Sequence, residues 1–296
     1  MIDTFFELLG YRFFSNALLA SVFTSINCGI IGSYIVSRRL VFISGGITHA
    51  SFGGIGIGYF LGINPVLSAA VFSLFSALGI EFLSRKADVR EDALIGIFWS
   101  FGMALGIIFI ALSPGYAPNL MGYLFGSLLT VTPLDLAMMA GVTVAVTGFF
   151  LMFYKIILFV SFDQEYAKTH KAPVQFINYM LISLVAVTIV LSIRVAGIIL
   201  IISLLTIPQT IANLFTKDLK NIIFLSILLG FLGTFAGLLL SYGLNIPSGA
   251  SIIMSLIFAF IIAKLLKLVL IRLKVKRAVM NFAGPATGNS AAEGES

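Results

Sequence analysis

Nine stretches of roughly twenty apolar residues run in close succession along this chain, at 13–36, 42–62, 65–84, 93–112, 133–154, 174–193, 197–214, 221–243 and 250–271. A bilayer core about 30 Å thick is crossed by about 20 residues of helix, and it offers no water to an unpaired backbone N–H or C=O. Repeated segments of that length predict an all-α, polytopic membrane protein with about nine transmembrane helices. Between the fourth and fifth stretches, Leu120 to Thr132 (LMGYLFGSLLTVT) is apolar but too short to cross, so a re-entrant or interfacial segment is expected there.

A soluble fold is excluded by composition. Hydrophobic residues make up 59% and charged residues 10%, where a soluble domain carries about 25% charged. One membrane domain over 1–277 accounts for the pattern, and the small, polar, glycine-rich stretch 278–296 is expected to be a disordered tail. Asp3 and Glu7 precede the first apolar run, where a secretory signal would be positive, so the first span is expected to be retained. The single cysteine, Cys28, lies within that span and rules out an intrachain disulfide framework.

Orientation follows from the basic residues, because Lys and Arg gather in short cytoplasmic loops. With the N-terminus outside and the C-terminus inside, sixteen of the eighteen fall on the inner side, leaving only Arg12 and Arg194 outside. The net charge of +6 is then explained by loops that face anionic lipid, and no nucleic-acid partner is expected.

Gly-Lys never occurs as a dipeptide, so no Walker A phosphate loop can be built and any ATP hydrolysis must belong to another chain. The cluster Gly53, Gly54, Gly56, Gly58 lies inside a span and follows no strand. Ala50, Gly54 and Gly58 instead form a small-xxx-small row that lets a neighbouring helix approach closely. His49 lies in the same span, one turn from Gly45 and Gly53. An ionisable group at that depth usually faces a polar cavity or pathway, and neutral imidazole ligates zinc, manganese and iron. An interhelical hydrogen bond is the competing reading. Glu81, Asn119, Asp135, Gln209 and Asn213 are further polar residues in or near the spans, each expected to be structural. An intramembrane enzyme built on His49 finds no serine, aspartate or glutamate at catalytic spacing in its segment.

The loop after the fifth span carries helix signals of its own. Ser161 and Gln164 make a capping-box pattern, Asp163 and Glu165 suit a first turn, Lys168, His170 and Lys171 a last one, and Pro173 a stop. With Phe162, Tyr166, Ala167 and Thr169 they predict a polar helix of about ten residues across the cytoplasmic mouth, either a solvated linker or a docking helix.

Several of these stretches together resemble one family. Arg38-Arg39 followed by SGGITHASFGG (Ser44 to Gly54), REDALIGI (Arg90 to Ile97), LMGYLFGSLLTVT, SFDQEYAKTHKAP (Ser161 to Pro173), VAGIILIISLLTIPQTIA (Val195 to Ala212) and Pro247 to Ala250 occur in that order. The chain is similar to permeases of the zinc, manganese and iron branch of the ATP-binding-cassette importers. The resemblance implies a type II importer-like permease in the bacterial cytoplasmic (inner) membrane, working as a homodimer whose shared interface forms the pathway. It also implies two ATPase subunits that bind ATP and Mg beneath, an extracytoplasmic metal-binding protein above, and no cofactor in this chain. On the same basis Ser161 to Lys171 is the coupling helix received by the ATPase. In the family the motif around His49 has an aspartate four residues earlier that shares the ion with the histidine, and here that position is Gly45. Removing a carboxylate weakens the case for manganese relative to zinc and iron. Import of a larger chelate such as haem, a siderophore or a corrinoid is the alternative within transport.

Overall fold

A computed structural model describes residues 10–86, 89–114, 126, 128–162 and 164–282. Eleven α-helices are formed among them: α1 (Arg12–Ser37), α2 (Val41–Leu61), α3 (Pro65–Lys86), α4 (Glu91–Leu112), α5 (Pro133–Phe162), α6 (Gln164–Thr169), α7 (Val174–Ala196), α8 (Ile198–Leu204), α9 (Ile207–Phe215), α10 (Leu219–Leu244) and α11 (Ser248–Phe282). Taking α8 and α9 together, nine of the described helical segments are long and apolar enough to cross a membrane.

The connections are short and chemically marked. Arg39 (φ 59°) and Asn245 (φ 53°) adopt the left-handed conformation where α1 turns into α2 and where α10 ends, and Gly62 (φ 67°) does so after α2. Asn64 caps α3 by accepting from the Val66 amide at 2.9 Å, and Asp218 caps α10 by accepting from the Lys220 amide. Inside the spans, several hydroxyls are satisfied by their own helix: Ser21 donates to the Ala17 carbonyl, Ser33 to Gly29 and Thr234 to Gly230, at 2.6 to 2.7 Å. Such back-bonding is how an apolar span carries serine and threonine at little cost.

α1 and α2 are the most enclosed spans, with 72% of the apolar stretch of each buried, whereas α11 is the least at 17%. α2 lies between α3 and α4, and glycines set both contacts. A Cβ added at Gly54 would stand 2.5 Å from the Ser68 carbonyl of α3, and one at Gly58 would stand 2.7 Å from the Cα of Pro65. On the other side, a Cβ at Gly102 of α4 would meet the Cα of Ala50 at 2.5 Å, and one at Gly56 would meet the Gly106 carbonyl at 2.5 Å. Ala50, Gly54 and Gly58 therefore divide between two neighbours: Ala50 faces α4, and the two glycines face α3. In lipid, association between helices rests on this kind of close van der Waals packing, since tails are as apolar as the side chains they replace.

Several elements differ from the sequence expectation. α5 continues past 154 to Phe162, with non-helical backbone at Phe153 (φ −107°, ψ 15°). α11 runs to Phe282, so the first residues assigned to the tail are helical, and those beyond lie outside the described residues. The stretch 197–214 is two helices broken at Leu205 and Thr206. The buried Gln209 closes that break, its Nε2 donating to the Leu204 carbonyl at 3.0 Å and across to the Cys28 carbonyl of α1 at 2.7 Å. Most of the expected re-entrant segment, Leu120 to Thr132, lies outside the described residues; its end holds a 3₁₀ turn at Leu128–Thr130.

The glycine seam gives a direct test. Gly102→Leu should destabilise the detergent-solubilised protein by about 1–3 kcal/mol through overpacking. Gly141→Leu, where an added Cβ meets nothing within 4 Å, should leave thermal unfolding unchanged. Equal effects of the two substitutions would contradict the seam.

Candidate functional site

His49 projects from the enclosed helix α2 toward α4. Its imidazole lies flat against the indole of Trp99, with ring centroids 4.2 Å apart and planes 6° from parallel. Helical spacing on α4 explains the meeting: Trp99 and Gly102 lie one turn apart, and Gly102 holds the α4 backbone against Ala50, the residue after His49. The ring is half-buried, yet its Nδ1 is enclosed and has no hydrogen-bond partner. An interhelical hydrogen bond through that nitrogen is therefore not what the imidazole provides, while the rest of the half-buried ring stays partly accessible.

Gly45 sits one turn before His49 on the same face. A Cβ added there would meet only the Trp99 ring, at 3.7 Å, which is ordinary van der Waals contact. A Cβ is therefore accommodated at the position where the resemblance places an aspartate. Among the described residues no three His, Cys, Asp or Glu side chains come together. His49 therefore has no cluster of such side chains around it, and any coordination shell built there would need water, carbonyl groups or a second copy.

The other polar residues have local partners. Glu81 pairs with Arg85 at 2.5 Å within α3. Asp135 is buried, accepts from the Thr132 amide at 3.0 Å and hydroxyl at 2.6 Å, and pairs with Arg194 Nε at 2.9 Å. That ion pair ties the start of α5 to the end of α7 and gives Arg194, one of the two basic residues expected outside, a carboxylate there. Gln209 closes the helix break described above. Asn213 accepts from Lys217 Nζ at 2.9 Å through its side chain. Asn119 lies outside the described residues.

The segment Ser161 to Lys171 is built differently from its capping-box pattern. Ser161 and Phe162 complete α5, Asp163 lies outside the described residues, and α6 spans six residues, Gln164–Thr169. Ser161 is buried with an unpartnered hydroxyl because the apolar run Ile156 to Val160 carries α5 through it, so it does not cap α6. Ala167 is fully buried, while Glu165, Tyr166, Lys168, Thr169, His170 and Lys171 face outward. Lys168 pairs with Glu165 at 2.7 Å, and the Tyr166 ring lies against His170 and Phe159 at centroid distances of 4.3 and 5.5 Å.

Arg38, read in the sequence as a loop cation and as part of the stretch leading to SGGITHASFGG, anchors this segment. Its guanidinium donates to the Val160 carbonyl near the end of α5 at 2.9 Å. With the Gln164 amide oriented as its neighbours require, the Gln164 side-chain oxygen accepts from Arg38 at 2.7 and 2.8 Å and from Asn178 of α7 at 3.1 Å. Arg38 also stands three residues before α2, so one side chain joins the base of α6 to the helix that carries His49. Neither Trp99 nor Arg38 was marked as functional by the sequence. The spacing of Gly102 and Gly106, a second small-xxx-small row, was the one available signal that α4 lies against α2.

Comparison with known proteins agrees with this architecture. Residues 10–267 match the model of the ABC 3 transport family. An uncharacterized membrane protein of Synechocystis sp. is 42% identical over 89% of this chain and 94% of its own length. The manganese import system permease protein ScaB of Streptococcus gordonii is 31% identical over 89% of this chain and 95% of its own. The structure of PsaBC from Streptococcus pneumoniae in complex with Fab superposes with a TM-score of 0.79 at 32% identity, covering 89% of this chain and 95% of the matched one. With a family model that spans eight crossing segments and reaches into the ninth, and a solved fold that overlays 89% of the chain, the chain belongs to the ABC 3 transport family.

Proposed function

We propose that this chain is the permease subunit of an ATP-binding-cassette importer that moves a divalent metal ion into the bacterial cytoplasm. One observation carries the reading: a half-buried imidazole, stacked on Trp99, stands midway along an enclosed span of a family transport protein. The name of ScaB, 31% identical, supports import and a metal cargo.

In this reading two copies pair, and His49 from each faces the shared pathway. An imidazole pair without carboxylates makes a weak transit site, which transport needs more than tight capture. Its chemistry suits zinc and iron better than manganese. Trp99 holds each ring flat, so the accessible edge of the imidazole keeps one direction while the ion passes. The N-terminus lies outside and the C-terminus inside, as the basic residues require.

ATP and Mg belong to separate ATPase subunits, since this chain contains no Walker A loop. Those subunits dock on the outward face of α6, where Glu165, Tyr166 and Lys168 are offered. An extracytoplasmic protein delivers the metal from the other side. Movement of α6 reaches α2 through Arg38, which holds Gln164 and Val160 by charge-assisted bonds and stands three residues before α2.

Uptake of radiolabelled zinc, iron and manganese in a strain lacking this permease tests the assignment. His49→Ala should lower uptake of the preferred ion at least about tenfold, the loss of one ligand interaction of roughly 1.4 kcal/mol. Full uptake of all three by that variant would remove His49 from the pathway. Gly45→Asp should be tolerated, given the room beside Trp99, and should raise manganese uptake relative to zinc.

The Arg38 link has a separate readout. Arg38→Gln removes charge-assisted bonds worth about 1.5–3 kcal/mol. The assembled complex should still hydrolyse ATP but import several-fold less metal per ATP, with Arg38→Lys between the two. An unchanged ratio in Arg38→Gln would place coupling elsewhere.

A further inference from the structure

The wall formed by α1, α5 and α10 contains a cavity of about 930 Å³ that takes no part in the pathway described above. Its sides are apolar: Ile26 and Ile30 of α1, Phe150 of α5, and Ile223 and Ile227 of α10. Two cations, Lys155 and Lys220, stand on its rim. Lys220 lies over the ring of Tyr154, 5.1 Å from its centroid, and the non-helical backbone at Phe153 opens α5 beside both. Asp218 is the nearby carboxylate, and it is engaged in capping α10 at the Lys220 amide. A second cavity of about 260 Å³ shares Ile26 and Ile227 and continues along α1 and α10 to Val22 and Phe231.

We propose that this groove is a binding site for one anionic phospholipid of the inner leaflet, with the headgroup phosphate on Lys155 and Lys220 and an acyl chain between α1, α5 and α10.

Length supports a single leaflet. From Lys220 to Phe231 the groove follows eleven residues of α10. At 1.5 Å per residue that is about 16 Å, half of a hydrocarbon core about 30 Å thick. Mostly apolar walls favour an acyl chain over water as the filling, and an empty groove would forfeit the contacts that hold helices together in lipid. Charge selects the headgroup: basic pockets between transmembrane helices on the cytoplasmic side recognise anionic lipids. The helices involved are not those that carry His49 and Trp99, so occupancy does not compete with an ion.

The site rests on the orientation proposed above only for its leaflet. Selectivity for an anionic headgroup is read independently of leaflet, so a wrong orientation and a wrong site give different results.

Native mass spectrometry of the detergent-purified permease, titrated with phosphatidylglycerol or with phosphatidylcholine of identical acyl chains, reads the site directly. Wild type should retain phosphatidylglycerol in preference, and each of Lys155→Ser and Lys220→Ser should reduce that preference about fivefold, the share one interfacial lysine contributes. Neither lysine belongs to the pathway or to α6, and both are exposed, so folding should be kept. Ile227→Trp, which fills the groove, should lower retention of both lipids. Inorganic phosphate should not compete. Equal retention of the two lipids by wild type, or an unchanged preference in the double lysine variant, would overturn the proposal. So would a disulfide formed between two copies of an Ile227→Cys variant, which would assign the groove to a second chain.

Discussion

Everything that positions the imidazole depends on how closely α2 and α4 approach. Gly56, Gly102 and Gly106 leave no side chain between the two backbones, and Ala50 contributes only a methyl group. With any larger residue at those positions the helices would separate, and the stack of His49 on Trp99 at 4.2 Å would be lost. In lipid no hydrophobic driving force restores such a contact, so the seam is both the glue and the ruler of the site.

The second constraint is at the inner surface, where hydrogen bonds rather than packing do the joining. Arg38 reaches α5, α6 and, through Gln164, Asn178 of α7. Arginine suits this position because its fork of donors serves two acceptors in fixed geometry. The α1–α2 turn continues through Arg39 in the left-handed region, leaving three residues between α1 and α2. A short, determined connection of this kind carries displacement better than a long loop would. The two constraints meet on α2: one end follows the turn that Arg38 anchors to α5 and α6, and the middle carries His49.

Much of this was legible in the sequence, for a simple reason. Membrane spans declare themselves by uninterrupted apolar length, and the nine expected stretches correspond to the nine crossing segments. What hydropathy cannot register is backbone geometry inside an apolar run. The break at Leu205 and Thr206 leaves hydropathy high, and its only local trace is Pro208, which suits the start of a new helix. Where polarity rises before the helix ends, boundaries move: α11 continues beyond 271 through Arg272, Lys274, Lys276 and Arg277, all good helix formers. The capping-box pattern at Ser161 and Gln164 failed because local chemistry was overridden by burial of Ser161 in α5 and by Arg38, a residue far away in sequence. His49 was visible as a lone imidazole in a glycine-rich span. Its partner Trp99 was not, because the Gly102 and Gly106 row shows that α4 can pack closely but does not name α2 as its neighbour or set the register.

The sequence contains one tryptophan, and it is the residue stacked on His49. Intrinsic fluorescence of the purified permease titrated with zinc therefore reports on the site without a label. If the imidazole receives the ion, saturating zinc changes the Trp99 emission, and His49→Ala abolishes the change. Emission unaffected by zinc, or changed equally in His49→Ala, would contradict a pathway through this imidazole.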